Sequence, residues 1–214
     1  MKDPILYQKL SAGLKDYLPA QTVHQLVVWL IEYRVHLKVT RPRNSKLGDY
    51  RPPYNGHGHR ISINGNLNPY TFFTVLVHEI AHLTTYNQYG NQVKPHGKEW
   101  QSHYQQLMRH FLQAQILPVD VETALVRSLQ NPPASSCTDM ELMRVLKKYD
   151  VNHTGTVGSV FIETLPKGTA FRLANGRRFI KGEQLRKRFR CTEIDTKKVY
   201  LFSPIAEVYL INDQ

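Results

Sequence analysis

The chain has 214 residues, of which 41% are hydrophobic and 21% charged, and its 28 Lys and Arg outnumber 17 Asp and Glu for a net charge of +11. That length suits one compact domain with an appendage or two small domains, and the composition is that of an ordinary globular protein, which excludes a chain disordered throughout. No stretch reaches the roughly 18 apolar residues of a membrane span, and Cys137 and Cys191, far apart in sequence, provide neither a disulfide framework nor a cysteine-based zinc site.

The first residues, Met1 to Leu10, lack the basic start and apolar run of a signal peptide, so the expected location is the cytoplasm, with association with the nucleoid open. From Ile5 to Leu18 and from Ala20 to Glu32 apolar residues recur at helical spacing, with Pro19 dividing two helices. Tyr33 to Thr40 alternates, with Val35, Leu37 and Val39 on one face, and reads as a strand. Residues 41 to 60 combine turn formers, five cations and two tyrosines. They suit a basic aromatic loop that touches nucleic acid, a solvated hairpin, or an extra metal pair at His57 and His59. Ile61 and Ile63 resume a strand, expected as an edge along a cleft, where it could pair with an extended peptide.

Residues 71 to 90 form a densely apolar run that holds His78-Glu79-Ile-Ala-His82. In a helix, positions i and i+4 share one face, so the two imidazoles can converge on one ion while Glu79 reaches a water beside it. Two histidines and a glutamate are costly to bury without partners, and one Zn²⁺ accounts for all three. The third ligand must lie downstream. A metzincin would need glycine at 85 and histidine at 88, where the chain has Thr85 and Gln88. Glu99, His96, His103 and His110 remain. Gly90 is suited to end the motif helix and Pro95 to start another, which predicts His96 in the first turn of the next helix, the best placed of the four. The amphipathic pattern then continues past Trp100 to Leu112, and a short helix is expected over Asp120 to Leu129.

His78-Glu79-x-x-His82 followed by His96-Gly97-x-x-Trp100 resembles the SprT-like (Spartan) zinc metalloprotease domain. Lys46 to Arg51, Arg60 to Asn64 and Leu67-Asn-Pro-Tyr70 resemble the β-hairpin and connector that precede the metal helix in that family. The likeness covers about residues 5 to 115. It implies a helical zincin-like fold with a small sheet, one Zn²⁺ held by His78, His82 and His96, Glu79 as general base, and proteolysis of proteins trapped on DNA. It points to a short bacterial-type member, because the cysteine pairs of the zinc ribbon that often follows are absent here.

Asn131 to Ser136 reads as a linker, Asp139 to Tyr149 as a further helix, and 156 to 211 as six strand-like runs with an Asn175-Gly176 hairpin signal. The expected organisation is α+β: a metalloprotease domain over 1–130, a linker and helix over 131–155, and a small antiparallel β-rich domain, a degenerate ribbon, over 156–214. Residues 167 to 190 hold nine Lys or Arg against Glu183 alone. Arg177, Arg178, Lys181, Arg186, Lys187, Arg188 and Arg190 are the candidate contacts to a DNA backbone, bound without sequence preference. The reading from sequence is therefore a zinc endopeptidase acting on DNA-associated proteins. The alternative is a non-catalytic DNA-binding protein with a structural zinc.

Overall fold

The computed structural model describes residues 3–43, 45–130, 139–150 and 159–211. The Asn131 to Ser136 linker, Cys137 and residues 151–155 lie outside them. The chain divides into two compact units, Met1–Asp150 and Val151–Gln214. No helix among the described residues is long and apolar enough to cross a membrane.

In the first unit, α1 (Pro4–Leu14) starts where Asp3 accepts the Leu6 N–H, with proline at its first turn. Helix α2 (Ala20–Glu32) follows Pro19 and buries Leu26, Val27 and Leu30. Strand β1 (His36–Thr40) begins later than the alternation predicts, because Tyr33 caps α2 and Arg34 turns the chain at φ 52°. Strands β2 (Gly48–Arg51) and β3 (Arg60–Asn64) complete a three-stranded sheet of order β1-β3-β2, with β1 parallel and β2 antiparallel to β3. The strand around Ile61 and Ile63 is therefore central, and β1 and β2 are the edges, β2 being the one against α3. The reason is burial. Ile61 and Ile63 are the fully covered side chains of the sheet, and a strand in that position needs both rows of backbone groups paired.

Helix α3 (Pro69–Tyr89) is the axis of this unit, and 13 of its 21 residues are buried, so apolar neighbours surround most of its circumference. Asn68 caps it twice, accepting the N–H groups of Tyr70 and Thr71 through Oδ1. The same side chain donates through Nδ2 to the Leu146 carbonyl at 2.9 Å and to Asp150 at 2.6 Å. Helices α4 (Lys98–Gln113) and α5 (Val119–Gln130) follow, and α6 (Met140–Lys147) packs Leu142 and Leu146 into the core of this same unit. Asn68 thus ties the start of the metal-motif helix to the last helix before the division between units.

In the second unit all six strand-like runs become strands: β4 (Ser159–Phe161), β5 (Ala170–Arg172), β6 (Arg178–Leu185), β7 (Arg188–Glu193), β8 (Val199–Phe202) and β9 (Glu207–Leu210). They form one antiparallel sheet of order β4-β9-β5-β6-β7-β8. Asn175 and Gly176 make the β5–β6 turn, with Gly176 at φ +82°, a conformation that favours glycine. Phe171, Phe179, Val208 and the buried thiol of Cys191 form its core. Asn68→Ala is expected to lower the unfolding free energy of the first unit by about 2 kcal/mol, through removal of the cap and an orphaned carbonyl. Denaturant titration of the first unit's tryptophan fluorescence measures it.

Candidate metal centre

The histidines of the motif are one turn apart on α3, with ring centroids 5.0 Å from each other. Gly90 ends the helix at φ 58°, its N–H bonded to the Tyr86 carbonyl, and the chain folds back through a turn closed by Gly97 N–H on the Lys94 carbonyl at 2.9 Å. His96 stands in that turn at φ 59°. It precedes Gly97, which is the N-cap of α4, rather than lying inside the helix as the Pro95 signal predicts. A left-handed non-glycine residue carries a strain of order 1 kcal/mol or more. The strain brings the His96 ring to 5.2 Å from that of His78 and 4.6 Å from that of His82.

Among the described residues, His78, His82 and His96 form a group whose ligand atoms all lie within 4.8 Å of one another, close enough to share an ion. The other candidates are engaged elsewhere. His103 bonds Gln88 at 2.9 Å, His110 lies against Trp29, and Glu99 sits in the first turn of α4 outside the group. Beneath the three rings is Trp100, buried, with its ring 4.6, 5.4 and 4.7 Å from those of His78, His82 and His96, and Tyr104 stacked behind it at 5.1 Å. This apolar backing packs against the imidazoles, of which His78 is buried while His82 and His96 stay partly exposed.

The donor set fits a metal ion. Nε2 of His96 is 3.2 Å from Nε2 of His78, close to the roughly 3.3 Å that two nitrogens adopt at 2.0–2.1 Å from one tetrahedral ion. Burial lowers the His78 pKa to about 2, helped by its two neighbours, and that of His82 to about 4, helped by His96; burial lowers His96 too. All three are therefore neutral near pH 7, with lone pairs available for ligation.

Glu79 shares the burial of His78 but faces the edge strand. A side chain at Gly48 would place its Cβ 2.5 Å from Oε1 of Glu79, so the glycine makes room for the carboxylate. The Tyr50 backbone N–H donates to it. Burial raises the Glu79 pKa to about 8, the Asp49 charge adds to the rise, and Lys46, the Tyr50 N–H and Arg43 oppose it. Strand β2 also carries the Tyr50 ring, parallel to His82 at 6.4 Å, with its hydroxyl 2.9 Å from Nδ1 of His59. Burial raises the Tyr50 pKa. A cavity of about 270 Å³, lined by Tyr50, Pro52, His82, Tyr86, Pro95 and Trp100 among others, opens beside these groups. Gly48 and Tyr50 were legible only as part of the hairpin; a glycine inside a strand next to a catalytic motif is a signal of close approach.

The basic residues of the second unit divide. Arg186, Lys187, Arg188 and Arg190 are exposed. Arg177 bonds the buried Glu193 at 2.7 Å and stacks over Tyr200, and Arg178 pairs with Asp195 at 2.6 Å. Lys181 departs from the sequence-based expectation of a surface contact. Its side chain is 5% exposed, its ammonium donates to the Glu163 and Leu165 carbonyls, and it lies 4.0 Å above the Phe189 ring. Pleat alternation places it on the face of Phe179, inside the sheet.

Two outcomes follow for the histidines. His96→Ala is expected to reduce bound metal from one ion per chain to near zero, by elemental analysis of the purified protein. In the metal-free protein the unfolded imidazoles, titrating near 6.5, bind protons that the folded ones refuse. Stability should thus fall as pH drops from about 6.5 toward the His82 value of about 4. Melting temperatures across that range check it, and His82→Asn should flatten the dependence.

The model of the SprT-like family matches residues 20–123, the stretch that holds α2, the three-stranded sheet and all three histidines. No solved structure matches the chain. The segment that builds this centre, residues 20–123, is a SprT-like, metalloprotease-like domain.

Proposed function

We propose that the protein is a zinc-dependent endopeptidase that cuts DNA-associated proteins, covalent DNA–protein crosslinks among them, in the cytoplasm at the nucleoid. The observation that carries this reading is the pairing of three converging neutral imidazoles with a buried helix glutamate packed against an edge strand beside a cavity. Imidazole ligands suit Zn²⁺, which supplies Lewis acidity to a peptide carbonyl when bound. The chain's own groups do the rest.

Glu79 takes the proton of the attacking water and returns it to the leaving amine. Gly48 keeps the space its carboxylate occupies, and the Tyr50 N–H holds its orientation. An extended substrate lies along the free edge of β2 by backbone pairing, which imposes little sequence preference. The cavity around Tyr86 and Pro95 accepts one of its side chains. Arg186, Lys187, Arg188 and Arg190 of the second unit recruit the enzyme to DNA through phosphates. A purely structural zinc would have no use for a glutamate held beside a cavity, which favours catalysis over the binding-protein alternative.

The deciding experiment is digestion of a basic DNA-binding protein by the zinc-loaded chain, with and without DNA. Glu79→Gln should lower cleavage by about 10³-fold while zinc content stays at one per chain; cleavage at the wild-type rate would sink the mechanism. Gly48→Ala should lower kcat with zinc retained, because the added methyl displaces the carboxylate. The rate should rise with pH as Glu79 ionises, since the base form acts. Removing the Asp49 charge by Asp49→Asn should move that rise to lower pH, because the anion favours protonated Glu79; a pH–rate profile reads the sign.

A further inference from the structure

The solvent face of the three-stranded sheet is unlike the rest of the first unit. Alternation along β3 sends Ile61 and Ile63 inward and leaves Arg60 and Ser62 on the opposite face, where His36, Lys38 and Thr40 of β1 and Asp49 and Arg51 of β2 join them. These residues line a depression of about 350 Å³. In register, Arg60 stands directly opposite both His36 and Arg51. Like charges opposed across a ladder destabilise a sheet. The one lining carboxylate, Asp49, is already bound to Lys46 at 2.6 Å and to Arg51 at 3.0 Å.

Arg60 and Lys38 have no carboxylate partner among the described residues. The Arg60 Nε is moreover buried with no hydrogen-bond partner, an unmet donor of the kind that folded proteins rarely keep. Arg43 extends the face by bonding Ser62 Oγ at 3.0 Å and Asn64 Oδ1 at 2.8 Å. Arg43, Lys46, Lys38, Arg51 and Arg60 set five cations against Asp49, a local net of +4.

We propose that this face is a phosphodiester-binding surface, in which Arg60 and Lys38, flanked by Arg51 and Arg43, seat the backbone of a nucleic acid on the catalytic unit itself. A guanidinium without a carboxylate partner matches phosphate oxygens through its terminal nitrogens. A local charge of +4 exceeds what one inorganic phosphate neutralises, so the occupant is a polymer that brings several phosphates. The proposal deepens the DNA-directed reading given above and rests on it for the source of those phosphates. It places nucleic acid on strand β2, whose Arg51 faces the phosphates while Gly48 and Tyr50 face Glu79.

The test uses the full-length, zinc-loaded Glu79→Gln protein, so that cleavage does not interfere, and the anisotropy of fluorescently labelled DNA oligonucleotides over a range of salt. A second background also carries Arg186→Gln, Arg188→Gln and Arg190→Gln. In both, Arg60→Gln combined with Lys38→Gln should weaken binding about tenfold or more and reduce the salt slope by about 2, one for each phosphate left without its cation. Arg60→Lys should restore part of the affinity. Zinc content and melting temperature report that the variants fold.

Unchanged affinity and slope in both backgrounds would overturn the proposal. So would binding of phosphatidylglycerol vesicles through these residues without binding of DNA, or saturation by inorganic phosphate at the affinity of the oligonucleotide. Because no readout depends on proteolysis, weakened DNA binding by these variants of an enzyme that proves inactive would sustain this site while refuting the peptidase.

Discussion

The first unit depends on one constraint: a helix buried around most of its circumference carries two histidines and a glutamate. Burying such groups is unfavourable unless each finds a partner. The surrounding elements answer that demand. The loop after Gly90 accepts a strained residue to bring His96 within reach of His78. Trp100 and Tyr104 back the imidazoles with apolar surface, and β2 comes close enough, by virtue of Gly48, to lend Glu79 a backbone N–H.

Strand β2 does two tasks because a pleat separates them. Gly48 and Tyr50 face α3, whereas Asp49 and Arg51 face solvent. Asp49 links the two sides electrostatically: it ties Lys46 and Arg51 on its own face while its charge raises the pKa of Glu79 on the other. Burial works against that carboxylate's ionisation, yet hydrogen bonds from Lys46 and Arg51 keep its pKa below the usual value. A change in charge on the outer face therefore bears on the ionisation of the glutamate.

What the sequence made legible was whatever depends on short spacing. The i, i+4 histidines, the helix stop at Gly90, the Asn175-Gly176 turn and the alternation of the six strands in the second unit are all patterns within a few residues. Strand order is different in kind. That β3 is central depends on β1, some twenty residues away in sequence, adding in parallel, and alternation within β3 carries no trace of it. The left-handed backbone of His96 is likewise imposed by convergence on α3, against the local signal of Pro95. Lys181 was legible but misread: counting charges over 167–190 ignored the parity that puts it beside Phe179 on the inner face.

Burial drives both kinds of group in the centre toward neutrality, lowering the imidazole pKa values and raising that of the carboxylate. The two shifts have opposite signs but one consequence, which is a site that carries little charge of its own. Neutral imidazoles are competent ligands, so nothing need be deprotonated for a dication to enter near pH 7. The positive charge it brings would favour the ionised form of Glu79, because an opposite charge nearby lowers a carboxyl pKa. The same burial that costs stability in the metal-free protein thereby couples two events, so that the glutamate becomes a base when the ligands are filled.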